Sequence, residues 1–127
     1  MLYHTAICVH DVERAARFYD AVLSVLGCGR IWDLLPEAVG YGETRGEFWI
    51  QSPRHQNAPD VSRGCHYAFA AKDEDTVRAF YAAALAAGAT GESAPAAHPE
   101  YSPNYYGAII IDPDGNKVEV VVHPRSR

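Results

Sequence analysis

The sequence predicts an α+β chain made of two copies of one βαβββ unit, and three observations point there. The first is an internal repeat: a shift of 62 residues sets His4 on His66, Ala6 on Ala68 and Asp11 on Asp73. Phe18-Tyr19 then meets Phe80-Tyr81, Ala21 meets Ala83 and Leu23 meets Leu85, seven identities in the twenty positions 4–23 without a gap. The second is a helical apolar spacing in each half, opened by an aspartate and closed by a glycine. The third is a set of short segments that alternate bulky and small side chains, as half-buried strands do.

In order, residues 2–9 read as a strand with Tyr3, Thr5, Ile7 and Val9 on one face and His4, Ala6 and Cys8 on the other. Asp11 caps a helix whose apolar positions run Val12, Ala15, Ala16, Tyr19, Val22, Leu23 and Leu26, and Gly27 stops it. Three strands follow at Arg30–Leu35, Ala38–Glu43 and Glu47–Ser52, separated at Pro36 and Thr44-Arg45-Gly46. Residues 53–64 are polar and proline-punctuated, a linker too short to separate independently folding domains. The chain is thus one domain, with a first module at about 2–52 and a second at about 65–124.

The second module repeats the plan. Strand 65–71 sets His66, Ala68 and Ala70 against Tyr67, Phe69 and Ala71, and Asp73 caps a helix reaching about Ala87, before Gly88. Residues 89–93 form a short strand, and 94–104, with Pro95, Pro99 and Pro103, an ordered loop. Strand Tyr105–Ile111 enters the turn Asp112-Pro113-Asp114-Gly115, and Asn116–His123 ends the fold with Val118, Val120 and Val122 on one face.

Composition narrows the function. A formal net charge of −5 with no Lys/Arg cluster argues against nucleic acid or an anionic membrane as partner. No apolar window is long enough to span a bilayer, and the start lacks the basic region of a signal peptide. Three cysteines without a CxxC pair argue against a disulfide framework or structural zinc, so a cytoplasmic protein is expected.

The strand faces carry the chemical clue. Helices would cover the bulky faces, leaving His4, His66 and Glu119 among the small residues Ala6, Ala68 and Ala70. Two imidazoles and a carboxylate in such a hollow suit a divalent metal with positions left for water or substrate. Singly, each has a plainer role: a strand histidine held by a structural hydrogen bond, a glutamate solvated at an edge.

These residues carry a resemblance to the vicinal oxygen chelate superfamily, which includes glyoxalase I, fosfomycin and bleomycin resistance proteins and extradiol dioxygenases. The matching features are His4 before a strand-to-Asp11 turn, the Phe18-Tyr19 helix ending at Leu26-Gly27, His66, and Asp112-Pro113-Asp114-Gly115-Asn116-Lys117-Val118-Glu119. The resemblance implies two βαβββ modules whose sheets curl into a cup. It also implies one divalent ion (Fe, Mn, Zn, Ni or Co) on His4, His66 and Glu119, a small-molecule substrate and a homodimer. Glyoxalase I has a fourth ligand, a glutamate on the last strand of the first half. Here Glu47-Phe48-Trp49-Ile50-Gln51-Ser52 has no central carboxylate. Aligning Gly46 with Gly115 sets Ile50 opposite Glu119; shifting by one sets Gln51 there.

Two readings follow: a metal-dependent enzyme of the glyoxalase/dioxygenase type, or a metal-free, bleomycin-resistance-like protein that sequesters an antibiotic. For the enzyme, His98, Tyr101, Tyr105 and Tyr106 in and beside the proline-rich loop are candidates for proton transfer or substrate contact, alongside Glu119. Each tyrosine could equally anchor the loop to the core. Gln51 and Trp49 are candidate substrate contacts. Trp32 and Trp49 also suit core packing. His10, His55 and His123 are expected at the surface.

Overall fold

The computed structural model describes residues 1–58 and 60–123; Pro59 of the expected linker and the expected module end at residue 124 lie outside the described residues. The chain divides into two compact units, Met1–Arg63 and Gly64–Arg127. The first contains β1 (Thr5–Cys8), α1 (Val12–Ser24), β2 (Gly29–Leu34), β3 (Ala38–Gly42), β4 (Phe48–Gln51) and a single turn, α2 (Pro53–Gln56). The second contains β5 (His66–Ala71), α3 (Glu74–Ala86), β6 (Thr90–Ala97), β7 (Tyr106–Ile111) and β8 (Lys117–Val122). Each has one open four-stranded sheet, ordered β1-β4-β3-β2 and β5-β8-β7-β6. The first strand of each pairs parallel with the last, and the other pairs are antiparallel. The expected α+β class and the repeated βαβββ plan are what the structure has.

Both helices begin as their aspartates require. The Asp11 carboxylate accepts from the Arg14 amide at 3.0 Å, and Asp73 accepts from the Thr76 amide at 2.8 Å and its hydroxyl at 2.6 Å. Past their ends the chain turns at Gly27 and Gly88, whose φ of +77° and +107° favours glycine. In the first unit, α1 buries Val12, Phe18, Tyr19, Val22 and Leu23 over Ile7, Val39, Tyr41, Phe48 and Ile50. In the second, Val77, Phe80 and Ala84 of α3 cover Ile110, Val118 and Val120. Each large side chain so buried stabilises by roughly 1.5–3 kcal/mol, so the core outweighs any single polar contact. The bulky strand faces are therefore the helix-covered ones, while His66, Ala68 and Ala70 of β5 and Ala6 of β1 are exposed.

Three boundaries differ from expectation. The first strand is only Thr5–Cys8, so His4 precedes it. The linker holds a helical turn that was not expected: Ser52 caps α2, and Ser62 bonds back to the Cys8 main chain through both its amide and its hydroxyl. Strand β6 runs to Ala97, through Pro95, where a loop was expected. Proline is tolerated there because β6 is an outer strand whose register with β7 shifts between Ser93 and Ala96, so no ladder amide is needed.

One polar cluster ties α1 to its sheet. The Arg30 guanidinium grips the Asp20 carboxylate twice, at 2.9 and 2.7 Å, and the buried Tyr41 hydroxyl donates to Asp20 at 2.9 Å. Burial pushes the Asp20 pKa up, but the bonds from Arg30 and Tyr41 together outweigh it and hold the carboxyl below its ordinary value. The stability it contributes is complete above the unfolded value of about 3.9 and is lost as pH falls through the lower folded value. The melting-temperature gap between wild type and Asp20→Asn should therefore be widest near neutrality and shrink between pH 4 and 2. A gap that stays constant over that range would show that the carboxylate's charge contributes nothing.

Candidate functional site

The turn before β8 places the candidate carboxylate. Asp112 and Asn116 are both buried and both satisfied. Asp112 Oδ1 accepts from the amides of Asp114 (2.9 Å) and Asn116 (2.8 Å), and Gly115 takes the left-handed position at φ +92°. Asn116 Oδ1 accepts from the Cys65 amide at 3.2 Å, and the Lys117 amide donates to the Cys65 carbonyl at 2.7 Å. This lashes the start of β8 to the start of β5, and the parallel register then sets Ala68 beside Glu119.

On that face the two residues meet. His66 Nε2 lies 3.0 Å from Glu119 Oε1, with the His66 side chain 52% exposed and that of Glu119 16%. The other carboxylate oxygen accepts a 2.6 Å hydrogen bond from the Tyr105 hydroxyl. Burial, then the neighbouring Glu119, pushes the Tyr105 pKa above that of an ordinary phenol, so it is a neutral donor at physiological pH. Tyr105 sits edge-on to His98 and Tyr101 at 5.7 and 5.0 Å, and those two rings stack at 4.9 Å. His98 Nδ1 pairs with Glu100 at 2.9 Å, while its Nε2 is buried without a protein partner. A cavity of about 350 Å³ adjoins Tyr105, lined also by Ser102, Pro103, Asn104, Val121 and Val122.

Tyr106 does not join this group. It alternates with Tyr105 and faces α3, where Arg78 donates to its hydroxyl at 2.8 Å and lies over its ring. The expectation that it could serve beside Glu119 is corrected by strand parity.

The first unit bears a different set. His4 is exposed, its ring edge-on to Tyr3 at 5.8 Å, and Arg45 lies over Tyr3. Register decides what stands in Glu119's place. Glu119 pairs with Ala68 as Trp49 pairs with Ala6, and Ala68 is the repeat partner of Ala6. The equivalent residue is therefore Trp49, which corrects both alignments drawn from sequence, because the turn before β8 is one residue longer than the one at Gly46. Ile50 is buried on the α1 side. Gln51 shares Trp49's face, is only 7% exposed, and its Oε1 has no protein partner. Trp32, across Gly40 from Trp49, is 55% exposed and so is not core.

Sequence reasoning missed two glycines that seat these rings. A Cβ on Gly107 would stand 2.7 Å from the Tyr105 hydroxyl, and one on Gly40 would stand 2.7 Å from the Trp49 indole. A glycine inside a strand was the available signal.

Known proteins agree with this architecture. The profile of the Glyoxalase/Bleomycin resistance protein/Dioxygenase superfamily matches residues 2–120, and the chain belongs to that superfamily. A glyoxalase/bleomycin resistance protein from Albidiferax ferrireducens T118 is 32% identical, with a TM-score of 0.79 over 95% of this chain and 97% of that one. A lactoylglutathione lyase from Agrobacterium tumefaciens shares the fold at 24% identity and TM-score 0.70, over 96% and 92% of the two chains. So does a glyoxalase/bleomycin resistance protein/dioxygenase family enzyme from Burkholderia phytofirmans PsJN, at 20% identity and TM-score 0.72, over 95% and 97%. No curated protein matches the chain.

The Gly40 contact can be tested directly. Gly40→Ala, made in a Trp32→Phe background so that Trp49 alone reports, should red-shift the indole emission and cost about 1–3 kcal/mol in urea unfolding. Unchanged emission and stability would mean that the indole does not rest on Gly40.

Proposed function

We propose that this protein is a divalent-metal-dependent enzyme acting on a small molecule that offers two adjacent oxygens. The observation that carries the reading is the pair His66–Glu119 on the face not covered by α3. Ligand bonds of about 2.0–2.2 Å at a right angle put neighbouring donors about 3 Å apart. The imidazole nitrogen and carboxylate oxygen stand 3.0 Å apart. That N/O donor pair suits Fe, Mn, Zn, Ni or Co. Within the second unit, among the described residues, no third His, Cys, Asp or Glu joins them. His4 is proposed as the third ligand, with two copies of the chain assembling as a dimer.

When bound, such an ion supplies Lewis acidity to the paired oxygens. The chain's own residues do the rest. Ala68 and Ala70 leave the space above β5 open for substrate, and Glu119 turns one oxygen to His66 and the other to the Tyr105 hydroxyl. His98 and Tyr101 wall the approach beside the cavity. The register position of a fourth carboxylate holds Trp49, so no second carboxylate is offered there for shuttling a proton between adjacent carbons. The three cysteines are all thiols, which supports a cytoplasmic protein.

A metal-free sequestering protein is the second reading, and the exposed Trp32 beside Trp49 favours it. The two readings part on metal content. The enzyme reading expects one divalent ion per chain by elemental analysis, largely lost in His66→Ala with the fold intact by circular dichroism. Full retention of metal in the His4→Ala/His66→Ala double variant would overturn the ligand set, and purified protein that takes up no metal would leave only the sequestering reading.

Isomerisation of the methylglyoxal–glutathione adduct should be weak even with Ni or Zn supplied, because a lost general base costs roughly 10²–10⁴-fold. Turnover of about 1–10³ per second would show that a base other than Glu119 serves that reaction.

A further inference from the structure

We propose that Tyr105 is the positioning residue of Glu119: it holds one carboxylate oxygen so that the other is presented, already aligned, beside the His66 imidazole. The inference rests on the metal reading above for its use, but on independent geometry for its existence. A glutamate side chain has three rotatable bonds, and holding it in one geometry costs rotamer entropy. One contact to His66 would leave the carboxylate free to pivot about that contact. The second contact, 2.6 Å from the Tyr105 hydroxyl to Oε2, removes the pivot.

The phenol is itself built into place, which a chance contact would not be. Its ring is flanked by His98 and Tyr101. It crosses β7 over Gly107, where a Cβ would lie 2.7 Å from the hydroxyl and 2.9 Å from the adjoining ring carbon. The 98–105 connection that delivers it spans eight residues, against three in the corresponding 35–37 connection of the first unit, where no carboxylate stands on β4. The tyrosine and the glutamate thus occur together in one unit and are absent together from the other.

Hydrogen-bonding partners of metal ligands typically contribute 10–100-fold to metal affinity. Tyr105→Phe removes the hydroxyl and keeps the ring on Gly107, so the fold is spared. Its cobalt(II) affinity, measured by titration against wild type, should fall at least tenfold, with Tyr81→Phe as a control for losing a hydroxyl in the same unit. The second measurement is metal-free: crystal structures of wild type and Tyr105→Phe, reading the separation of Glu119 Oε1 from His66 Nε2. Weakened cobalt binding together with a displaced Glu119 supports the proposal. Affinity within twofold of wild type, or a Glu119 still seated against His66, overturns it while leaving the metal site standing. If wild type takes up no cobalt, the metal reading falls. The crystal pair then decides alone: a displaced Glu119 supports the positioning role, an unmoved one ends it.

Discussion

The second unit depends on a buried knot of backbone-to-side-chain hydrogen bonds between Asp112, Asn116 and Cys65. Side chains in a strand alternate faces, so a one-residue slip of β8 along β5 would drive Glu119 into the apolar layer under α3 and expose Val118 or Val120. A carboxylate buried there without a partner would cost several kcal/mol. The knot forbids the slip by satisfying the Asp114, Asn116 and Cys65 amides at once. Bonds to an ionised carboxylate contribute about 1.5–3 kcal/mol each, against 0.5–1.5 for neutral pairs, so the Asp112 contacts dominate. Chemistry on the open face is thus set by a turn that never touches it.

The two units show how one scaffold takes on different loads. The helix-covered side is conservative in character: Ile7, Ile50 and Phe48 in one unit do what Phe69, Val120 and Val118 do in the other. The open side is not. Where the second unit has a carboxylate held by a phenol, the first has an indole lying on a glycine, its Nε1 donating to the Gly46 carbonyl at 3.3 Å. The core fixes the backbone in both, leaving the opposite face free to diverge without cost to folding.

Much of this was legible in the sequence because it is local. Aspartate caps, stop glycines and the Asp-Pro-Asp-Gly turn act over three or four residues, and each stands where it was read. The pairing of His66 with Glu119 on one face followed from alternation alone. What was not legible is long-range. No sequence rule says that one turn is a residue longer than its repeat counterpart, and that residue decides whether Ile50, Gln51 or Trp49 answers Glu119. Tyr105 and Tyr106 are adjacent and chemically identical; only the alternation of side chains where the chain enters β7, with Tyr106 paired to Ala97 of β6, sends one to the carboxylate and the other to Arg78. Pro95 misled for the same reason, since whether proline breaks a strand depends on whether a neighbour needs its amide.

The shifted registers on β2 and β6 bear on what those two sheet edges offer to another chain. A sheet's outermost strand normally displays an unbroken row of amides and carbonyls on which another chain can continue the ladder. Here the outer strands β2 and β6 interrupt that row, at Arg30–Trp32 in one unit and at Gly91–Ser93 and Ser93–Ala96 in the other, with Pro95 removing a donor as well. The same irregularities guard against runaway edge-to-edge growth, which lets Trp32 and Leu34 stay exposed on an outer strand without turning it into a seed for aggregation.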